Sequence, residues 1–336
     1  MLRGIAAAMV VVVHIGLQLD RLGYGTYSVG WLSSGVDIFF VISGFIMWVS
    51  VERRSSMTAA QFMRARLIRI VPLYWLVSGF VLATCLIAPQ LLHTTVLEWK
   101  HALASFLFLP ARHPVMTHEF WPLLIPGWTL NYEMLFYVLF AVAIAGSGGS
   151  ARTRLGLIAS LIAGTVLVAF LLKGRIDAMH FYANPILFEF LAGIAVGILY
   201  MSGSMPKSWA WLIPVVIGFV MLRYGPGVVY GFNGTNLIAA AMIVSGALFL
   251  PAIPLPGLKA VGDASYSLYL THVITLAMLS HFWALGLTRL GPVAFTLAGL
   301  ALSIAAALIC YRVFERPMTD ALKRLWVPAK RQIPVG

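Results

Sequence analysis

The chain has 336 residues, 61% of them apolar and only 10% charged. Soluble domains carry about 45–50% apolar and about 25% charged residues, and burial saturates near three quarters of the unfolded surface even in large domains, so a water-soluble enzyme, a disordered chain and a fibre are excluded. The formal charge of +12 sits in short segments between apolar runs, the pattern that orients a polytopic membrane protein and not the aromatic-interleaved basic surface that binds nucleic acid.

A single arginine before a run of Ala and Val could pass for a signal peptide, but no small-residue cleavage site and polar domain follow. Residues 4–19 therefore read as a retained first helix. A membrane span takes about 20 mostly apolar residues as helix, and ten runs qualify: 2–19, 31–51, 71–89, 128–146, 155–173, 184–202, 209–223, 235–251, 264–286 and 292–313. The expected fold is an all-α polytopic bundle of about ten transmembrane helices. Between the third and fourth runs lies a long outer loop, residues 90–127, with Pro110, Pro114, Pro122, Pro126 and three histidines. Its Leu103–Leu109 stretch is too short to span and reads as a re-entrant or interfacial piece. Loops of this length serve as lids or acceptor platforms, or simply cap the surface. Gly146–Ser150 reads as a flexible inner linker. Residues 1–317 form one membrane domain, and 318–336 a short basic tail. With ten helices and the N-terminus inside, sixteen Lys and Arg fall in inner segments and seven in outer ones, which places both termini in the cytosol. Cys85 and Cys310 fall toward opposite faces, so neither a disulfide nor a metal site is expected.

Ionisable groups are costly inside a bilayer and commonly face a cavity or mark function. Here they are His14, Asp37, Glu133, Glu189 and His272, with Arg3 at the inner edge of the first helix. Arg3 and His14 are eleven residues apart, about three helical turns and about 16 Å of rise, and so share a face. Counting from each end brings Asp37 of the second helix to a similar depth as His14. A carboxylate beside an imidazole orients the ring and stabilises its protonated form in general-base chemistry. Arg66 and Arg69 stand three apart at the start of the third helix and present two guanidinium forks, groups that grip phosphates bidentately. Alone, that pair reads first as a topology signal facing anionic lipid; together with Arg3 it forms an anion-attracting ring beneath the membrane-embedded His14. Glu189 reads as structural.

These residues lie in segments that resemble the acyltransferase-3 family of membrane acyltransferases. Leu2-Arg3-Gly4-Ile5-Ala6, with His14 beyond, looks like its opening motif, and Gly35-Val36-Asp37-Ile38-Phe39-Phe40-Val41-Ile42-Ser43-Gly44-Phe45 like its second-helix motif. The segment from Arg66 through Arg69, Pro72 and Tyr74 to Trp75 resembles its paired-arginine motif. Trp128-Thr-Leu-Asn131-Tyr-Glu133 through Tyr137 resembles the fourth-helix motif in its exopolysaccharide acetyltransferase form. Ser265 to His272 and Phe314-Glu315-Arg316-Pro317 match late motifs, so the resemblance spans essentially the whole chain in order.

The resemblance implies an enzyme that takes an acyl group, usually acetyl, from cytosolic acyl-coenzyme A and passes it to a hydroxyl on an extracytoplasmic carbohydrate such as a surface or exopolysaccharide. It implies catalytic roles for Arg3 and His14 and donor binding at Arg66 and Arg69. Coenzyme A, with phosphates at one end of a long arm and a thioester at the other, suits the spacing from Arg3 to His14. His14, oriented by Asp37, would deprotonate the acceptor or carry the acyl group itself. Glu133 supports the acceptor side or balances charge, and Tyr74, Asn131 and His272 stand as a supporting layer. No resident cofactor or metal is expected; acyl-coenzyme A enters as donor substrate, and the other partners are the carbohydrate and the bilayer. The competing class is a proton-coupled transporter or flippase of glycan or lipid intermediates, which the missing internal repeat disfavours. A non-catalytic scaffold for polysaccharide assembly is the third reading.

Overall fold

A computed structural model describes residues 1–54, 56–89, 96–225 and 233–326, and among these it contains helices and loops but no strand. The long helices are α1 (Leu2–Arg21), α2 (Gly35–Glu52), α3 (Ala59–Ile87), α5 (Trp128–Gly146), α6 (Ala151–Leu172), α8 (Phe188–Met201), α9 (Leu212–Tyr224), α10 (Gly234–Phe249), α12 (Ser265–Ala284) and α13 (Gly291–Cys310). Shorter ones are α4 (Trp99–Phe106), α7 (Met179–Tyr182), α11 (Pro256–Asp263) and α14 (Arg316–Trp326). Every apolar run expected to span forms a helix, and the protein is an all-α membrane bundle. Six segments are long and apolar enough to cross a bilayer on those criteria; Pro185–Met201, Trp209–Tyr224 and Gly234–Phe249 are apolar but shorter. Two of these include a further irregularity. The runs at 184 and 209 each open with a tight 3₁₀ turn, Pro185–Leu187 and Trp209–Trp211, before the α-helix starts.

α3 begins at Ala59, well before its apolar run. Thr58 and Gln61 form a reciprocal cap: the Gln61 N–H donates to Thr58 Oγ1 at 3.2 Å, and the Thr58 N–H to Gln61 Oε1 at 3.0 Å. This capping box starts the helix about three turns early. Arg64, Arg66 and Arg69 therefore lie within it and not in a preceding segment.

α2 and α8 pack with backbones in contact. A Cβ on Gly44 would lie 2.0 Å from the Phe190 carbonyl oxygen, and one on Gly193 the same distance from that of Val41. In lipid, where apolar surface gives little drive to associate, such close approach at small residues supplies the packing energy. On the other flank, α5 packs its aromatic face inward, with Phe136 stacked on Phe190 at 4.1 Å and Tyr132 on Phe181 at 3.9 Å between ring centroids.

Between α2 and α6 the largely buried Arg154 Nη1 pairs with Glu52 Oε1. Removing one partner leaves the other charge stranded, so Arg154→Ala is expected to lower unfolding stability by about 3 kcal/mol. Denaturation of the detergent-purified variant measures this. A change below about 1 kcal/mol would show that the pair is solvated.

The stretch expected near 103–109 appears as α4, somewhat earlier in the chain, folded onto α3. Tyr74 Oη donates to the Ser105 carbonyl at 3.1 Å and Trp75 Nε1 to that of Phe106 at 2.9 Å. The following loop is clamped by Arg112, which makes hydrogen bonds of 2.7 and 2.8 Å to the Asp177 carboxylate and one of 2.6 Å to the Thr117 carbonyl. Those bonds hold the Asp177 carboxyl below its ordinary pKa. At its C-terminal end α13 passes through a π-turn, Tyr311–Glu315, into α14, so the basic tail begins as helix; residues 327–336 of that tail lie outside the described residues.

Candidate active site

α1, α2, α3, α5 and α12 surround a cavity whose lining includes Arg3, Arg66, Arg69, Ser43, Glu133 and Tyr137. Four of these helices thus deliver three guanidinium groups, a glutamate and hydroxyls to one space. Arg3 Nε donates to Ser265 Oγ at 3.2 Å, which ties the first turn of α1 to the start of α12. Arg66 lies against the Phe62 ring, its Cζ 5.5 Å from the centroid, and its buried Nε has no hydrogen-bond partner among the described residues. None of the three arginines forms an ion pair among the described residues. A group of cations that the protein leaves unneutralised is an anion site in waiting.

Glu133 does not neutralise them by contact. Its Oε1 accepts from Ser43 Oγ at 3.0 Å and from Tyr137 Oη in a short bond. Ser43 and Tyr137 were missed as site residues in the sequence. The signal for Tyr137 was its i+4 spacing from Glu133, which puts both on one helical face. A second carboxylate, Glu315 from the π-turn, stands nearby and accepts from the Ser267 N–H at 3.1 Å and Ser267 Oγ at 2.5 Å. π-turns of this kind often mark functional segments, and here the extra residue turns Glu315 inward.

His14 and His272 meet edge to face, with ring centroids 4.7 Å apart. Each ring is held by its own helix: His14 Nδ1 lies 2.9 Å from the Val10 carbonyl and His272 Nδ1 3.0 Å from that of Leu268. A carbonyl only accepts, so Nδ1 carries the hydrogen in both rings and each Nε2 keeps a lone pair in the neutral form. His272 is fully buried, and its Nε2 is without a partner among the described residues.

Asp37 is not the partner of His14. Its buried carboxyl faces Ser34, Asn236 and Glu189, between α2, α8 and α10. Helix counting fixes depth but not azimuth: α2 turns Asp37 toward α8, while α1 turns His14 toward α12. Glu189 is fully buried beside it, and neither of its carboxyl oxygens has a hydrogen-bond partner among the described residues. Asp37→Leu is expected to lower stability by about 1–3 kcal/mol by stranding Glu189 and Asn236, as thermal unfolding in detergent would show. Because Asp37 and His14 share no partner, the activity losses of Asp37→Asn and His14→Ala should multiply in the double variant. A double variant no worse than His14→Ala alone would restore the pairing with His14.

Of the remaining expected residues, Tyr74 packs α3 onto α4 and does not line the cavity. Asn131 is buried on α5 with neither amide atom hydrogen-bonded among the described residues, and also lies off the cavity.

An all-α membrane bundle with three arginines and a half-buried, hydroxyl-bonded glutamate facing one cavity, and an imidazole pair nearby, suits a membrane-embedded group-transfer enzyme. Residues 1–312 match the acyltransferase-3 family, described as an acyltransferase domain, and the chain belongs to that family of enzymes. Over 303 residues it is 37% identical to the exopolysaccharide production protein ExoZ of Rhizobium meliloti (strain 1021), covering 85% of this chain and 89% of that protein. It is 26% identical to the acyltransferase MdmB of Streptomyces mycarofaciens, covering 96% of this chain and 91% of that one. It is also 23% identical to the O-acetyltransferase OatA of Staphylococcus aureus (strain NCTC 8325 / PS 47); the match takes in 94% of this chain but only 56% of that longer protein. No solved structure matches the chain.

Proposed function

We propose that the protein is a membrane O-acyltransferase that moves an acyl group, acetyl in the first instance, from cytosolic acyl-coenzyme A to a hydroxyl of an extracytoplasmic carbohydrate, in particular an exopolysaccharide. The observation that carries this reading is the cavity lined by three guanidinium groups without an ion-pair partner among the described residues, whose lining residue Tyr269 stands against His272 of the imidazole pair. The names of ExoZ and OatA, which speak of exopolysaccharide production and O-acetyl transfer, support the acceptor class and the group. The chain sits in the cytoplasmic membrane with both termini in the cytosol, so the arginine end meets the donor.

In this mechanism Arg3, Arg66 and Arg69 hold the phosphates of the donor and let the thioester arm run toward the centre of the bundle. His14 Nε2 takes the proton of the acceptor hydroxyl as that oxygen attacks the thioester carbonyl. Carriage of the acyl group on His14 is the alternative route through the same residue. His272, whose Nε2 is free, shares the charge that develops on His14. Glu133, held by its two hydroxyl donors, lines the same cavity and offsets part of the arginines' charge without touching them. Residues 1–317 act as one catalytic unit, with 318–336 as a basic appendage.

The test is acetyl-coenzyme A turnover by the detergent-purified chain supplied with glycan, read as released thiol and as acetyl ester on the sugar. A transporter or scaffold would release none. Mass spectrometry of surface glycans from a deletion strain would then identify the sugar position.

A further inference from the structure

One carboxylate at the arginine end has no part in the mechanism above. Glu315 is buried at the end of the π-turn and does not line the cavity. Its Oε2 accepts from the Ser267 N–H at 3.1 Å and from Ser267 Oγ at 2.5 Å. Ser267 is the third residue of α12, so its N–H is one of those that a helix leaves unpaired at its start. The carboxylate therefore caps α12 from a distant part of the chain, at the end where the helix dipole favours negative charge.

The same helical turn seats a site arginine. Ser265, the first residue of α12, accepts from Arg3 Nε at 3.2 Å. The backbones are close here: a Cβ on Gly4 would lie 2.9 Å from the Gly262 nitrogen, which fixes the first turn of α1 against the segment leading into α12. Arg3 and Arg69 both feel the Glu315 charge, yet neither forms an ion pair with it among the described residues. Glu315 is thus close enough to act on two of the three cavity cations and too far to neutralise them by contact.

A negative charge fixed beside a group of cations stabilises them when the cavity is empty and opposes an incoming phosphate. Spent coenzyme A keeps every phosphate of the donor, so a cavity of uncompensated arginines would hold product as firmly as substrate, and release would limit turnover. We propose that Glu315 is a positioning residue that acts through Arg3 and Arg69, keeping the cavity's grip on phosphate weak enough for spent coenzyme A to leave. The inference rests on the donor reading above and adds to it a residue that touches no substrate.

The experiment titrates the full-length, detergent-purified protein with coenzyme A at moderate salt. Glu315→Gln keeps the size and an oxygen to accept the Ser267 bonds, and removes only the charge. It is expected to bind coenzyme A about tenfold or more tightly than wild type, as for one unit charge removed about 10 Å from another at an effective dielectric of about 20. Turnover at saturating donor should fall together with the KM for acetyl-coenzyme A, because release slows. Glu315→Asp, which keeps the charge, should return the affinity toward wild type. Should Glu315→Gln fail to fold, Glu315→Ala removes the same charge, and the same tightening is expected of it. A residue that only braces α12 would give weaker or unaltered binding. Either result in a folded charge-free variant, or loss of the fold in both, overturns the role of Glu315 and leaves acyl transfer standing. A wild type that does not bind coenzyme A brings down the donor reading and this role with it.

Discussion

His14→Ala is expected to lower acyl transfer by about 10²–10⁴-fold, the usual worth of a general base, while the protein still inserts and folds. The ring's one hydrogen bond is to a carbonyl of its own helix, and replacing it with a methyl group leaves no stranded charge. Its chemical loss is larger, since the lone pair on Nε2 disappears. His272 sharpens the test. If the two rings act as a unit, His272→Ala in the His14→Ala background should cost little further activity, although it is costly alone. Thiol release from acetyl-coenzyme A, with melting curves of each variant as the control for folding, measures both. Near-normal acetylation by a well-folded His14→Ala protein would end the mechanism.

The second large effect is on the donor. Replacing Arg66 and Arg69 together with alanine should weaken acetyl-coenzyme A binding far more than acceptor recognition. A charge-assisted hydrogen bond is worth about 1.5–3 kcal/mol, so each arginine accounts for about tenfold or more in Kd. The structure strengthens the expectation because, among the described residues, neither side chain is spent on an ion pair and Arg66 keeps a buried N–H without a partner. Lysine should restore binding only in part, being a point charge without the planar fork. A direct titration at moderate salt decides it: equal affinity in wild type and the double alanine variant would show that the phosphates bind elsewhere.

The helices of this protein were legible in the chain because, in lipid, composition and length dominate. Each apolar run of about 20 residues satisfies its backbone internally or does not enter the bilayer, and all ten runs are helical. Helix ends were less legible. α3 starts early because Thr58 and Gln61 cap it, a reciprocal bond outside the apolar pattern. The site was legible where residues of one helix determine it. Arg66 and Arg69 face one cavity, as their spacing requires, and Glu133 and Tyr137 meet across one turn.

What depended on the rotation of one helix against another was decided by the tertiary structure alone. Asp37 and His14 were placed at one depth by counting, yet the close contact of Gly44 and Gly193 binds α2 to α8 and carries Asp37 to Glu189. His14 instead faces His272, some 260 residues along the chain, and Tyr269 on the same helix lines the cavity in contact with Phe39. Sequence by itself determined that this is a membrane bundle of apolar helices, with its arginines and imidazoles on known turns. Which of those groups share a space followed only from packing. Composition fixes whether a helix enters lipid, whereas its azimuth is set by the small residues and aromatic rings of whichever neighbours it meets.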